Sequence, residues 1–169
     1  MEISKNLFIH NKLENQLINL YNNNNLSNSI IFSGSKGLGK NTLGFSFISK
    51  IFNSIDSKNK NHSNLIYNNT HTNFRYLTKS FDEKTNKFKN NILIDQIRKL
   101  DNFTNQSSLS SLPKFIIIDS ADDLNNNSAN ALLKSLEEPK LDTYFILITH
   151  QISNILPTIR SRCVKFYFN

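Results

Sequence analysis

All four glycines of the chain lie in one short segment, IIFSGSKGLGKNTLGF, which runs from Ile30 to Phe45. Glycine tolerates backbone dihedrals that other residues avoid, so this clustering indicates one tight, specialised loop. Ser29–Phe32, before the loop, are mainly apolar and partly β-branched, which predicts a buried strand, and Thr42–Ile48, after it, suit a helix. A strand, a glycine loop and a helix in this order form the setting of a phosphate-binding loop.

The spacing inside the loop also fits phosphate binding. Gly34 is followed after four residues by Gly39 and Lys40, and Gly37 lies between them. In such a loop the backbone N–H groups and the helix N-terminus surround phosphate oxygens, while the lysine reaches the terminal phosphates. The segment predicts either a nucleotide site or a glycine turn retained for packing, and both interpretations stay open at this point.

The position after the lysine departs from the motif. A hydroxyl-bearing residue normally follows the lysine and binds Mg²⁺. Here Asn41 follows Lys40, and Thr42 comes one place later, about 100° further round the helix. An amide oxygen can contact Mg²⁺, but it lies on a longer side chain than the hydroxyl and is neutral, so we expect weak binding of Mg²⁺ and of ATP. ATP with Mg²⁺ is therefore a weak candidate cofactor, and no other cofactor or metal site is predicted.

Apolar patterns along the rest of the chain predict a parallel α/β sheet. Further strands are predicted at Phe74–Leu77, Lys114–Asp119, Thr143–Thr149 and Val164–Phe168. Further helices are predicted around Leu13 to Tyr21, Ile94 to Leu100, Leu132 to Leu136, and Pro157 to Ile159. Ser128 is predicted to cap the third of these and Pro139 to end it, whereas the polar segment Ile55–Asn73 predicts a surface loop or a variable insertion. Apolar strands that alternate with helices indicate a parallel sheet covered on both faces.

Several candidate functional residues follow predicted strands. In a parallel sheet, functional groups gather at the carboxyl ends of the strands, so the glycine loop, Asp119 and Thr149 are expected to lie together. In ATPases of this architecture a second carboxylate orients the attacking water, but Ser120 stands after Asp119, so hydrolysis would lack its base. Asp122 and Asp123 are expected to be exposed acids at a helix start.

Composition limits the remaining function classes. Lys+Arg 20 against Asp+Glu 13 gives a net charge of +7, which fits either attraction to nucleic acid or a codon bias, and the scattered basic residues favour the bias. The lone cysteine, Cys163, excludes an internal disulfide or a zinc site of several thiolates, and predicts a buried apolar residue. His10, His62 and His71 are isolated in the sequence, so no catalytic or metal-binding role is predicted for them.

No feature of the sequence predicts membrane attachment. No stretch approaches the about 20 continuous apolar residues that a membrane helix needs. The start, MEISKNLF, lacks the apolar segment of a signal peptide. A cytoplasmic protein is therefore expected, and 169 residues suit one compact domain.

Four stretches resemble one protein family, in the expected order along the chain. GSKGLGKNT is similar to a degenerate phosphate loop, FIIIDSADDLNNNSANALLKSLEEP to a modified acidic strand with its following helix, and LPTIRSRC carries a Ser-Arg-Cys signature. ILIDQIRKL resembles the stretch before the acidic strand. Together, from Ile30 to Cys163, they resemble the clamp-loader branch of the AAA+ proteins, and within it the delta-prime subunits of bacterial DNA polymerase III. The resemblance implies a P-loop fold with a five-stranded parallel sheet between two helix layers.

The resemblance also implies a subunit that does little chemistry itself. Arg162 is implied to be an arginine finger, which acts in trans on the triphosphate of a neighbouring subunit; the alternative is a surface arginine paired with a local acid. Thr149 resembles a residue that senses nucleotide state, although it equally suits a capped strand end. The implied partners are a motor subunit of the tau/gamma type, the delta subunit and, indirectly, the sliding clamp, with DNA bound through the complex.

Two departures from the family and two rival functions remain. Residues Ile55–Asn90 contain none of the cysteines of the family's small zinc module, so no zinc is predicted, and the family's lid and collar domains are not found, so residues 1–169 are expected to form one domain. One rival is a working ATPase motor subunit that tolerates Asn41 and Ser120. The other is a stand-alone DNA-binding module, which predicts tight and strongly salt-dependent binding.

Overall fold

The computed structural model describes residues 10–59, 61–106 and 111–169. The start MEISKNLF, predicted above to lack the apolar segment of a signal peptide, lies outside the described residues. The centre of the fold is a parallel sheet of five strands, β1 (Ser29–Ser33), β2 (Phe74–Leu77), β5 (Lys114–Asp119), β6 (Thr143–Thr149) and β7 (Val164–Tyr167). Across the sheet they stand in the order β2-β5-β6-β1-β7. The apolar runs in the sequence therefore correctly predicted all five.

Six helices surround this sheet within the described ranges. They are α1 (Asn11–Asn22), α2 (Lys40–Ile55), α3 (His62–Tyr67), α4 (Ile94–Asn105), α5 (Asn126–Glu137) and α6 (Pro157–Arg160). Side chains alternate across a strand, so Ile30 and Phe32 of β1 pack in one core with α1 and α2, whereas Ile31 packs in a second core with α4 and α5. The predicted three-layer α/β arrangement is confirmed.

A buried lysine ends α4. Lys114, at the start of β5, directs its ammonium at three carbonyl oxygens in the last turn of that helix, those of Phe103 at 2.8 Å, Thr104 at 3.1 Å and Gln106. Helix ends leave carbonyl groups without intrahelical partners, and a cation there also interacts favourably with the helix dipole. Lys114 therefore ties α4 to the amino end of β5.

The segment Ile55–Asn73, predicted as a surface loop or an insertion, instead contains a packed helix. Within it α3 buries Ile66 and His62, and His71 stacks on Phe52 of α2 with ring centroids 4.4 Å apart. The prediction was wrong because the buried groups are mainly imidazoles and an amide, which a search for apolar periodicity does not detect. Polar side chains are buried here because they form hydrogen bonds with one another.

The predicted cap of α5 was also wrong. Asn125 is the N-cap, and its side-chain oxygen accepts a hydrogen bond from the backbone N–H of Ser128 at 2.9 Å. Ser128 lies in the first turn and its hydroxyl donates back to the carbonyl oxygen of Asn125 at 3.0 Å. Three consecutive asparagines precede Ser128, and any of them is an acceptable cap, so the sequence alone did not select the position.

A short antiparallel hairpin stands apart from the main sheet. It is formed by β3 (Phe81–Asp82) and β4 (Lys87–Phe88) and was not predicted from the sequence.

Among the helices in the described part of the chain, none combines the length and the apolar character that crossing a bilayer requires.

Candidate functional site

The glycine loop joins the carboxyl end of β1 to the amino end of α2. Gly39 precedes α2 in a left-handed conformation with φ 75°, which a side chain would disfavour. At Gly34 a Cβ atom would lie 2.4 Å from the carbonyl oxygen of Phe168, so the chain after β7 packs directly on the loop. The loop thus has the backbone form of a phosphate-binding loop, with Gly37, also at positive φ, at its open tip.

Lys40 is held inside this loop. Its ammonium donates to the carbonyl oxygens of Gly34 at 2.5 Å and Ser35 at 2.7 Å, and the residue is only 3% exposed. Burial lowers the pKa of Lys40, and the nearby carboxylates of Asp119 and Asp122 partly offset that effect. In this state the lysine stabilises the loop backbone, which supplies the acceptors that phosphate oxygens would otherwise provide.

Asn41 occupies the position after the lysine, where the motif has its Mg²⁺ ligand. Its amide nitrogen donates to the carboxylate of Asp119 at 3.1 Å and to the hydroxyl of Tyr76 at 3.0 Å. The Tyr76 hydroxyl donates in turn to the same Asp119 oxygen at 2.8 Å. Burial, followed by the charge of Asp119, raises the pKa of Tyr76, so the phenol stays protonated as a donor. Thr42, the next hydroxyl along α2, takes no part in these three hydrogen bonds.

This donor set does not fit Mg²⁺. The cation binds oxygen ligands in a near-octahedral shell. Asn41 presents its N–H₂ group to Asp119, and the orientation is forced because an ionised carboxylate only accepts hydrogen bonds. The carbonyl oxygen of Asn41 is buried and has no hydrogen-bond partner among the described residues. Two hydrogen bonds therefore fall on Oδ2 of Asp119, and Asn41 presents a donor and not an oxygen ligand to the carboxylate that a metal ion would need.

Asp122 joins the ends of two central strands. Its carboxylate accepts hydrogen bonds from Ser120 Oγ at 2.7 Å, Thr149 Oγ1 at 2.9 Å, and the backbone N–H groups of His150 at 2.8 Å and Gln151 at 3.2 Å. Burial alone would raise the pKa of Asp122, but these four hydrogen bonds outweigh burial and hold the pKa below its ordinary value. The sequence prediction of an exposed acid was wrong for this residue.

Thr149 and Ser120 are therefore fixed by Asp122 at the same edge of the sheet. Thr149 is fully buried at the end of β6. Asp123 instead forms a partly exposed ion pair with Lys79 at 3.1 Å. The structure thus brings Lys40, Asn41, Asp119 and Thr149 to one edge, as the order of strand ends predicted. Tyr76 and Asp122 are the residues at this edge that the sequence did not identify.

Arg162 lies at the other end of the sheet. It precedes β7, whose first residue Val164 pairs with Ile30 near the start of β1, whereas the glycine loop follows Ser33. A strand rises about 3.3 Å per residue, so Ile30 and Ser33 alone are about 10 Å apart. Arg162 is therefore remote from the chain's own phosphate loop.

Local partners orient the Arg162 side chain. One guanidinium nitrogen lies 2.6 Å from a carboxylate oxygen of Glu137, at the end of α5. The other donates to the carbonyl oxygen of Thr158 at 2.8 Å. Both charged side chains are substantially exposed, at 36% and 46%.

The neighbouring Cys163 is buried in an apolar core, and burial raises the pKa of its thiol to about 11. Its burial confirms its prediction as a buried apolar residue.

Comparisons with known proteins agree with this architecture. The family model described as DNA polymerase III, delta subunit, matches residues 9–169. The chain is 50% identical over 74 residues to DNA polymerase III subunit delta' of Pseudomonas aeruginosa, which covers 44% of this chain and 23% of that protein. It is 32% identical over 154 residues to DNA polymerase III subunit gamma/tau of Mycoplasma genitalium, covering 90% of this chain and 25% of that protein. These matches thus span about a quarter of each relative.

A solved structure shares the fold. A DNA polymerase III gamma subunit-related protein of Thermotoga maritima superposes with a TM-score of 0.63 at 24% identity, over 91% of this chain and 46% of that one. This likeness supports the three-layer fold, and the family model covers all but the first residues of the chain. The chain therefore belongs to the DNA polymerase III delta subunit family, as a delta-prime-like member with the AAA+ P-loop fold.

Proposed function

We propose that this chain is a catalytically silent clamp-loader subunit, which supplies Arg162 in trans to the ATP site of a neighbouring motor subunit. In this role it helps to place the sliding clamp on primed DNA during replication, in the cytoplasm. Its partners would be a motor subunit of the tau/gamma type and a delta subunit, with the clamp and DNA reached through the complex. The family membership supports this class of function.

The observation that carries the proposal is the closed arrangement of Asn41, Tyr76 and Asp119. Phosphoryl transfer depends on a metal ion that neutralises phosphate charge and on a group that orients water. Asp119, the last residue of β5, accepts two hydrogen bonds at Oδ2, and the Ser120 hydroxyl donates to Asp122. Neither the residue after Lys40 nor the residue after Asp119 therefore presents the group with which the motif binds the metal or orients the water.

The position of Arg162 supports action on another molecule. It lies at the opposite end of the sheet from the glycine loop, and its side chain is partly exposed. A guanidinium suits this role because it is permanently charged and planar, so it donates two hydrogen bonds to phosphate oxygens. Its pairing with Glu137 is an exposed ion pair, worth about 0–1 kcal/mol, so exchange for a triphosphate costs little.

The test is ATP hydrolysis by the assembled complex. The chain is mixed with its cognate motor subunit, clamp and primed DNA, and Arg162→Ala is compared with the unchanged protein. Turnover at the site that this subunit serves should fall about 10³-fold or more, as for other arginine fingers, while complex formation stays the same. Arg98→Ala is the matched control, because Arg98 also pairs with a surface acid, Asp95 at 3.3 Å. Equal rates with and without Arg162 would contradict the proposal.

The glycine loop favours one alternative function, a working ATPase motor subunit. Gly34, Gly39 and Lys40 retain the backbone form of a phosphate loop. For this function Lys40 would have to leave two carbonyl oxygens, and Asn41 would have to turn its amide oxygen toward a metal ion. The alternative therefore requires hydrolysis by the isolated chain that depends on Lys40.

A further inference from the structure

The β3–β4 hairpin exposes two aromatic rings that the fold does not use. Phe81 and Phe88 are direct cross-strand partners, and their ring centroids lie 5.2 Å apart with planes at 74°. Their exposed fractions are 49% and 65%, and neither ring belongs to the two apolar cores. Exposing large apolar rings opposes folding in water, so a paired, exposed set indicates a binding surface.

Lysines surround this aromatic pair. Lys84, Lys87 and Lys89 are all exposed, and none of the three takes part in an ion pair within the described part of the chain. Asp82 is directed into the turn, where it accepts hydrogen bonds from the backbone N–H groups of Lys84 at 3.0 Å and Thr85 at 3.3 Å. Glu83 is the remaining acid of the turn, so the hairpin presents an excess of positive charge.

The base of the hairpin is fixed to the edge of the sheet that holds the glycine loop. The backbone N–H of Lys89 donates to Ser80 at 2.9 Å, and the Gln96 side chain donates to the carbonyl oxygen of Thr78 at 2.9 Å. Ile92 N–H donates to the carbonyl oxygen of Asp123 at 2.8 Å, in the segment after β5. The rings are thus held on an anchored support and not on a long loop.

We propose that this hairpin binds single-stranded nucleic acid. Unpaired bases would stack on Phe81 and Phe88, while Lys84, Lys87 and Lys89 attract the phosphates. Every base has a flat face, so aromatic platforms with nearby cations suit a single strand of any sequence. A protein partner held by the hydrophobic effect would need a wider apolar surface than two rings bordered by lysines. This inference does not depend on the role of Arg162.

A tryptophan reporter tests the stacking directly. The chain contains no tryptophan, so Phe88→Trp introduces a single indole. Titration with oligothymidylate should quench its fluorescence, because a stacked base contacts the indole face, whereas an abasic oligonucleotide of equal length should not. Tyr167→Trp is the matched control, since Tyr167 is also an exposed aromatic residue, 61% exposed, on β7. No quenching at position 88, or equal quenching by the abasic strand, would overturn the proposal.

Affinity measurements provide an independent test. Fluorescence anisotropy should show that the double variant Phe81→Ala/Phe88→Ala binds oligothymidylate about 10-fold more weakly or worse. Leu141→Ala removes another exposed apolar side chain, 91% exposed, and should bind like the unchanged protein. Thermal unfolding checks that both variants remain folded. Unchanged affinity of the double variant for oligothymidylate would overturn the proposal. If the double variant lost binding to a protein partner but kept its affinity for oligothymidylate, the hairpin would be a protein-docking site instead.

Discussion

Two neighbouring carboxylates at the edge of the sheet, Asp119 and Asp122, have different hydrogen-bond partners and different structural roles. Asp119 accepts hydrogen bonds from Asn41 and Tyr76, whereas Asp122 accepts four, from Ser120 and from residues at the end of β6. The first arrangement turns an amide donor toward the carboxylate. The second fixes Thr149, so a role for Thr149 in sensing nucleotide would act through Asp122.

Asp122 should therefore be a major contributor to stability. Asp122→Asn replaces one acceptor oxygen by an N–H₂ group that faces donors, which should lower the free energy of unfolding by about 2 kcal/mol at neutral pH. Urea denaturation measures this change. Asp123→Asn is the control, because its partly exposed pair with Lys79 is worth about 0–1 kcal/mol.

The Asp122 effect should also depend on pH. The pKa of Asp122 is lowered in the folded state, so its contribution is present above the ordinary carboxyl pKa and is lost as pH falls through the lowered value. The difference between Asp122→Asn and the unchanged protein should shrink in acid. An equal difference at neutral and acid pH would show that the charged hydrogen bonds are not its cause.

At the scale of elements, the helix caps and the strands differ in how well their sequences specify them. Buried strands such as β5 and β6 are long apolar runs, so pattern alone finds them. The start of α5 depends on which of three asparagines turns its side chain inward. Ala129 and Leu132 of this helix pack in the second core, and intrinsic propensity carries no information on that tertiary packing.

The cap of α5 gives a matched test. Asn125→Ala removes the acceptor of the Ser128 N–H and should lower the free energy of unfolding by about 1 kcal/mol. Asn127→Ala, an exposed change within the same helix, should be neutral or slightly stabilising because alanine is the better helix former. Chemical denaturation of both variants measures the difference. Equal losses would indicate that Asn125 is not the cap.

Helix α3 is held by a series of buried polar groups that hydrogen-bond to one another. The backbone N–H of Asn73 donates to His71 Nδ1 at 3.0 Å, so the other ring nitrogen of His71 carries the proton and donates to His62 Nδ1 at 3.0 Å. His62 Nε2 then faces Asp56 at 3.5 Å. The two histidines are therefore hydrogen-bonded to each other in the folded protein, although they are isolated in the sequence.

The buried, hydrogen-bonded His71 predicts that the protein loses stability in mild acid. Burial, with the nearby His62 and Arg75, lowers the pKa of His71 to about 4. Between the ordinary histidine pKa of about 6.5 and this value, the unfolded chain binds a proton that the folded chain does not, so stability falls as pH falls, by up to about 3 kcal/mol. Urea denaturation from pH 7.5 to 4.5 measures the slope. The His71→Gln variant should lack the contribution of His71 to the slope of stability against pH. An unchanged slope in this variant would refute the assignment of the acid effect to His71.

At the scale of the whole molecule, the length of the sheet separates the glycine loop from Arg162. The glycine loop, Asn41 and Asp119 lie at the carboxyl ends of the strands, and Arg162 lies at the amino end of β7. One subunit can therefore offer each end to a different neighbour. The proposed function uses only the end with Arg162, which would face the ATP site of a motor subunit.

The sequence predicted this layout better than it predicted the local chemistry. The order of strands and the glycine spacing are properties of contiguous segments, so the edge of the sheet with Lys40, Asp119 and Thr149 was predictable. Tyr76 reaches Asp119 only because β2 pairs with β5, and Asp122 meets His150 only because β6 ends beside it. Such contacts join residues far apart in the chain, and one sequence contains no direct signal for them.

Steady-state ATP hydrolysis by the isolated chain is the most direct test of the proposed division of labour. With Mg²⁺ and saturating ATP, the purified protein should show no turnover above that of the Lys40→Ala variant, because Asn41 and Tyr76 occupy the carboxylate that would serve the metal. Turnover on the order of 1 s⁻¹ or faster, abolished by Lys40→Ala, would contradict the account.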